Sequence, residues 1–159
     1  MKILLISDTH GSIRGLDRIL ESERFDALLH MGDVQGQEDL IRAIASPVPV
    51  DFVAGNCDLF SKESRELVLN YRGVSVLMTH GDRYGVKGGL TRLKEAAKKA
   101  GAAVALYGHT HVPDISFDGS IWTVNPGSFS RPGQRSRVRT YAVMTAENGR
   151  ASFELREVP

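Results

Sequence analysis

The sequence predicts an α/β fold, and three observations carry that reading. Short apolar runs alternate with amphipathic stretches through the first half of the chain. Each run breaks off at a turn containing Asp, Asn or Gly. The second half carries hairpin signals at Arg72-Gly73, Asp118-Gly119 and Asn148-Gly149. Strands alternating with helices imply a parallel sheet, whereas closely spaced strands joined by tight turns imply antiparallel pairing. The expectation is one domain over residues 1–159, with a parallel sheet followed by a second, mostly antiparallel sheet.

Taken in order, Ile3-Leu4-Leu5-Ile6 is a continuous apolar run and reads as a strand buried on both faces. It stops at Ser7-Asp8-Thr9-His10-Gly11. Ser12 is placed to cap a helix whose apolar positions Ile13, Leu16, Ile19 and Leu20 recur at helical spacing. Residues 27–31 form a second buried strand ending at Gly32-Asp33. A helix over 37–45, with Leu40, Ile41 and Ile44 on one face, closes at Ser46-Pro47, because proline disfavours helix in the residue before it. Residues 50–53 make a third strand, running into Gly55-Asn56-Cys57-Asp58. Residues 66–71 and 74–79 read as a hairpin ending at His80-Gly81. The Ala-, Lys- and Leu-rich stretch 90–100 is helical, with Gly101 as its stop. Residues 104–107 are another buried strand, which meets Gly108-His109-Thr110-His111. Two hairpins follow, 115–117 with 121–124 and 141–144 with 152–155.

Composition excludes several classes. With 42% hydrophobic and 25% charged residues the chain is an ordinary globular domain, long enough to bury about 70% of its unfolded surface. A formal net charge of +1 gives no global field for nucleic acid or membrane surfaces. Cys57 is the single cysteine, so no internal disulfide forms and a reducing, cytoplasmic setting is expected. The first apolar run is too short for a signal peptide, and no stretch approaches the roughly 20 apolar residues of a membrane span.

In parallel sheets functional groups gather beyond the carboxyl ends of the strands. Asp8, His10, Asp33, Asn56, His80, His109 and His111 all fall at such ends, and they include four of the five histidines. Asp8 and His10 are two apart, so in an extended segment both would point to one side, as would His109 and His111. Carboxylate and imidazole together suit a divalent metal. Each residue alone has an ordinary reading as a turn former or a hydrogen-bonded surface group. Their joint placement at strand ends is what turn chemistry does not explain.

Asp8-Thr9-His10, Gly32-Asp33, Gly55-Asn56, His80-Gly81 and Gly108-His109-Thr110-His111 resemble, in order and spacing, the motif series of the calcineurin-like metallophosphoesterases. The chain length resembles that of their small bacterial and archaeal phosphodiesterase branch. The resemblance implies a four-layer αββα sandwich, two mixed β-sheets flanked by helices. It also implies a two-metal site in which Asp8, His10 and His111 hold one ion, Asn56, His80 and His109 hold the other, and Asp33 bridges. Two divalent ions, two carboxylates and a bridging hydroxide leave a single positive charge, the counterpart of a phosphodiester monoanion. Mixed oxygen and nitrogen ligands without thiolate suit manganese, nickel, zinc, iron or cobalt without choosing among them, and manganese is taken first. The implied activity is hydrolysis of a small phosphodiester by water activated between the ions.

Where the family's commonest pattern has a His after Gly-Asn, resembling a general acid for the leaving group, this chain has Cys57. A thiol with pKa ~8.5 is a poorer donor near neutrality than an imidazolium. Cys57 is therefore either a weak catalytic donor or a small, inert, half-buried residue. Asp58 either forms an Asx turn or orients Asn56, and His30 reads as a core histidine with a role behind Asp33. Asn125-Pro126-Gly127-Ser128 is a turn that resembles a family stretch near the metals. Arg131, Arg135, Arg137 and Arg139 form the only basic run, which leaves nucleic acid open as a partner, as is a second copy of the chain. The rival readings are a protein-binding scaffold resembling the retromer subunit that shares this fold, and a phosphomonoesterase or protein phosphatase.

Overall fold

The computed structural model describes residues 1–131 and 138–159. Ten strands and three α-helices are assigned among them. The first strand, β1 (Lys2–Ile6), is followed by α1 (Leu16–Ser22), β2 (Ala27–His30), α2 (Glu38–Ala45) and β3 (Val50–Phe52). The second half contains β4 (Glu66–Tyr71), β5 (Val74–Thr79), α3 (Thr91–Lys99), β6 (Val104–Leu106), β7 (Asp114–Phe117), β8 (Trp122–Asn125), β9 (Thr140–Glu147) and β10 (Arg150–Glu157). Two five-stranded sheets result, in the orders β10-β9-β1-β2-β3 and β4-β5-β6-β8-β7.

The core divides into three apolar layers, and these set the architecture. Ile3, Leu5, Leu29, Val76, Met78, Leu106, Val124 and Met144 pack together between the sheets. Leu4, Ile6, Leu28 and Phe52 face the other way, against Leu16, Ile19 and Ile41 of α1 and α2. Leu77 and Ala105 meet Leu93 and Ala97 of α3 on the far side of the second sheet. The order of layers is therefore helix, sheet, sheet, helix. β1 lies at the middle of the first sheet with Ile3, Leu4, Leu5 and Ile6 fully buried. At roughly 1.5–3 kcal/mol per side chain as an upper estimate, its burial anchors the end that carries Asp8.

Four expectations change. The hairpin β9-β10 does not join the second sheet: β9 pairs antiparallel with β1, Lys2 opposite Thr145, and completes the first sheet. The second sheet is mixed, as the family resemblance implies and not mostly antiparallel as the turns alone suggest, since β5, β6 and β8 run parallel while β4 and β7 are antiparallel at its edges. The first helix starts at Leu16 rather than after Ser12, because Gly15 takes φ 99° at its head, a left-handed angle that a helix cannot pass through. On α2 the buried positions are Ile41 and Ala45, with Leu40 49% exposed and Ile44 38% exposed, so the inward stripe is narrower than the spacing suggests. The turn at Asn148-Gly149 has φ 49° and 73°, the left-handed pair that matches strand twist in a two-residue hairpin.

Among the described residues no helix is long and apolar enough to cross a membrane. Arg135 and Arg137 of the basic run lie outside the described residues. Arg139 gives its guanidinium to the carbonyls of Arg14 and Pro159, at 2.9 and 3.1 Å, and fastens the chain terminus rather than facing a ligand.

Candidate metal centre

The parallel strands of both sheets end at one edge of the sandwich, and the backbone there is cross-tied. The Asp8 N–H donates to the Gly32 carbonyl, the Gly108 N–H to the His80 carbonyl, and the Phe129 N–H to the Ser7 carbonyl. The seven candidate residues lie along this edge; His109 belongs to none of the metal-capable groups among the described residues and is placed by its ring contact with His80 and its N–H bond to Asp8. His10 Nε2 and His111 Nε2 are 3.1 Å apart, and they lie 3.9 and 3.2 Å from Asp8 Oδ1. His10 Nε2 is also 3.8 Å from Asp33 Oδ2, which stands 3.4 Å from His80 Nε2. Asn56 Oδ1 is 3.1 Å from the same His80 nitrogen, and the His109 ring lies 5.1 Å from the His80 ring. Asp8, His10 and His111 form one group able to hold a metal ion; Asp8, Asp33 and His80 form another; and His10, Asp33 and Cys57 form a third.

The route by which the side chains converge differs from the expected one. Asp8 and His10 do not share a side through strand alternation, since both have left the extended conformation, with φ 55° and 43°. Asp33, His109 and His111 are left-handed too, with φ 57°, 66° and 57°. A non-glycine residue held there costs on the order of 1 kcal/mol or more, and five in one cluster mark a site that the surrounding fold over-determines. The determinants are buried polar side chains. Ser7 Oγ donates to Asp8 Oδ2 at 2.6 Å, and Ser128 and Ser130 each donate to the Asp8 carbonyl at 3.0 Å. Asn125 Nδ2 donates to the Gly108 carbonyl and to Thr110 Oγ1, which fixes the loop bearing His109 and His111. The stretch 125–128 is thus a buttress behind the site.

Asp58 is buried and joins two loops: Oδ1 accepts from the Gln35 N–H at 2.7 Å and Oδ2 from the Gly55 N–H at 2.8 Å. It neither closes a simple Asx turn nor touches Asn56. His30, fully buried, accepts from the Gly32 N–H at Nδ1, so its Nε2–H donates to Thr9 Oγ1 at 3.0 Å. Burial holds its pKa down, to about 4, despite the nearby Asp8 carboxylate, and the ring links the β1 and β2 strand ends as a neutral group. Sequence reasoning placed the stretch 125–128 near the metals through the resemblance but not the hydrogen bonds of Asn125 and Ser128, and it missed the parts played by Ser7 and Ser130, which no local pattern distinguishes from ordinary turn residues.

Two features fit this donor set to a cation. Asp8 Oδ1 is buried and accepts no hydrogen bond, an arrangement that costs roughly 1–3 kcal/mol unless something positive faces it. His80 Nδ1 lies 2.7 Å from the Met31 carbonyl, so its proton is there and the Nε2 lone pair faces two oxygens, Asn56 Oδ1 and Asp33 Oδ2. That contact is repulsive unless a proton or a metal ion lies between. Burial lowers the His80 pKa, but the Asp33 and Asp8 carboxylates and the Met31 carbonyl together outweigh it and the net shift is upward. Burial alone would raise Asp33. His80 and the Cys57 N–H, 2.8 Å from Oδ1, instead hold it well below the usual carboxylate range. Burial lowers His10 and His109, keeping them neutral at lower pH than a free imidazole.

Cys57 is exposed rather than half-buried, and Asn56 Nδ2 approaches its sulfur at 3.4 Å. Partial desolvation and the Asp33 carboxylate push its thiol up to about 11. It stays protonated at neutral pH and is a weak acid there.

Residues 1–149 match the calcineurin-like phosphoesterase superfamily domain. Among curated proteins, a probable metallophosphoesterase of Bacillus subtilis, YsnB, is 32% identical over 96% of this chain and 88% of its own length. Phosphodiesterase YfcE of Escherichia coli is 28% identical over 83% of this chain and 81% of its own. Among solved structures, a predicted phosphoesterase of Streptococcus pneumoniae superposes with TM-score 0.84 at 26% identity, over 98% of this chain and 88% of that one. Vps29 of Entamoeba histolytica, solved with zinc, shares the fold with TM-score 0.79 at 20% identity over the full length of both chains. The motif series, the four layers and a family domain that spans nearly all of the sequence agree: this chain belongs to the calcineurin-like phosphoesterase superfamily.

Proposed function

We propose that the chain is a phosphodiesterase that uses two divalent metal ions to hydrolyse a small phosphodiester. Asp8, His10 and His111 would hold one ion, Asn56, His80 and His109 the other, with Asp33 shared. The observation that carries the reading is the convergence of imidazole and carboxylate groups on one edge, with Asp8 and Asp33 each belonging to more than one ligand group. When bound, such a pair supplies Lewis acidity that lowers the pKa of water and stabilises charge during in-line displacement. The protein's own part is positional: Ser7 and the His109 N–H hold Asp8, the Cys57 N–H holds Asp33, and the Met31 carbonyl fixes His80 with Nε2 facing inward. Oxygen and imidazole donors suit manganese, the ion proposed first, and equally nickel, zinc, iron or cobalt. An exposed, unpaired Cys57 beside the site supports a reducing compartment such as the cytoplasm.

A diester rather than a monoester is supported by the name of the YfcE relative and by Cys57. With its thiol near 11, Cys57 contributes little to protonating a departing alkoxide, so aryl esters should react faster than alkyl ones. Cys57→His should raise turnover on alkyl diesters by roughly tenfold or more and leave aryl diesters nearly unchanged. A uniform change across both classes would refute this account of Cys57.

Proton competition gives the pH response. Metal ions bind neutral imidazole, and His80, the site histidine shifted upward, takes up a proton first as pH falls. Because the His80 pKa is raised, manganese affinity should begin to weaken above ~6.5, the ordinary imidazole value, and fall by about tenfold per pH unit below that onset. Calorimetric titration between pH 5 and 8 checks this, and a constant affinity down to pH 5 would remove the histidines from the ligand set.

The assay for the whole reading is hydrolysis of bis(4-nitrophenyl) phosphate and 4-nitrophenyl phosphate with each transition metal in turn. A faster diester supports the proposal. A faster monoester favours a phosphomonoesterase, and no turnover with any metal favours a scaffold role, the reading that the likeness to Vps29 keeps in view.

A further inference from the structure

The loop that follows Asn56 is anchored at both ends and apolar at its tip. At one end the Asp58 carboxylate accepts from the Gly55 and Gln35 N–H groups. At the other, Ser61 Oγ donates to Glu38 Oε1 at 3.3 Å and accepts from the Glu63 N–H at 3.2 Å. Between these ties Leu59 is 76% exposed and Phe60 is 96% exposed, the two most exposed large apolar side chains among the described residues. They are adjacent, held on a fixed turn, and have no internal packing role. Single exposed apolar residues are common on surfaces, but these two border a cleft of about 430 Å³. That volume lies within the range of small-ligand sites.

Gln35, Glu38, Cys57 and Ser61 complete the wall. Cys57 belongs both to this cleft and to the ligand group with His10 and Asp33, so the cleft adjoins the candidate metal centre. The cleft thus lies next to the place where the metals would hold a phosphate, and Leu59 and Phe60 are its apolar lining. Gln35 strengthens the link: it takes φ 60°, rare for its type, and its amide reaches His10 Nδ1 at 3.4 Å.

We propose that this cleft receives an organic group of the phosphodiester and selects planar aromatic groups, with Phe60 and Leu59 as its specificity-determining residues. The proposal rests on the phosphodiesterase reading above. An aromatic ring gives a planar ester group a stacking face, and such contacts are worth a tenfold or greater difference in affinity.

Phosphonates test it without turnover, because their carbon–phosphorus bond is not a substrate for ester hydrolysis. In calorimetric titrations of the manganese-loaded protein, phenylphosphonate should bind roughly tenfold more tightly than methylphosphonate. The Leu59→Ala/Phe60→Ala variant should bring the two ligands to equal affinity and leave methylphosphonate unchanged. Equal affinities in the wild-type protein, an aryl preference that survives in the variant, or failure of both ligands to bind would overturn the proposal. Hydrolysis of bis(4-nitrophenyl) phosphate, measured in parallel, separates the two claims. Turnover without aryl preference overturns the cleft and spares the phosphodiesterase reading; aryl preference without turnover supports the cleft and overturns that reading.

Discussion

Asp33→Asn is expected to lower diester hydrolysis by more than about 100-fold while the protein stays folded. Substitutions behind a metal ligand typically cost 10–100-fold in affinity or activity, so loss of a carboxylate proposed to be shared between two ions should exceed that range. Folding survives for a local reason: an Asn oxygen still accepts from the Cys57 N–H, as Asp33 Oδ1 does at 2.8 Å. The second oxygen is the one that matters. Oδ2 lies between His10 and His80, at 3.8 and 3.4 Å, and an amide nitrogen there presents a donor where a cation is needed. In the wild-type protein, manganese at about 100 times its dissociation constant should add about 2.7 kcal/mol, or roughly 5–10 °C in Tm. In Asp33→Asn that rise should shrink or vanish while the metal-free Tm stays within a few degrees. A normal manganese-induced rise with normal turnover would show that Asp33 is not shared.

Gly55→Ala is expected to be nearly as damaging, through shape alone. A Cβ on Gly55 would fall 2.1 Å from Asp33 Oδ1 and 2.5 Å from the Asp33 backbone nitrogen. The side chain could move, but the nitrogen belongs to the β2 strand end and could not, so the loops would have to part. Overpacking of this kind costs typically 1–3 kcal/mol, and an ångström of misplacement at a reacting centre costs on the order of 100-fold in rate. Gly108 is built the same way, with a Cβ position 2.0 Å from Ser7 Oγ and 2.8 Å from Asp8 Oδ2. Gly88→Ala is the control, since its nearest contact, the Gly85 carbonyl at 3.5 Å, is an ordinary one. Activity and Tm should fall together in Gly55→Ala and stay unchanged in Gly88→Ala. An active Gly55→Ala enzyme would mean that Asp33 tolerates displacement.

Most of the scaffold was legible because strand and helix leave local marks. Ile3 to Ile6 is apolar at every position because β1 is covered on both faces, and the run therefore reads as an interior strand. Sheet membership leaves no such mark. The Asn148-Gly149 turn specifies a hairpin but not which sheet it joins, and only the pairing of β9 with β1 decides that. The candidate ligands were legible as types at strand ends, while their orientation was not. Asp8, His10, Asp33, His109 and His111 adopt left-handed angles that their own residue types do not announce, and the loops that carry Asp8, His109 and His111 are held by the adjacent Ser7 and by Ser128 and Asn125 from later in the chain. Cys57 was read as half-buried, as free cysteines commonly are. The Asp58 clamp on Gly55 and Gln35 turns the loop outward and leaves it exposed.

Whether a single edge of the sandwich holds two ions through these side chains is read out by anomalous diffraction from crystals grown with manganese. The expected map has two peaks, one bounded by Asp8, His10 and His111, the other by Asn56, His80 and His109, with Asp33 reaching both. A map with no peak on that edge, or one whose peaks leave Asp33 and His80 untouched, would contradict the two-ion site.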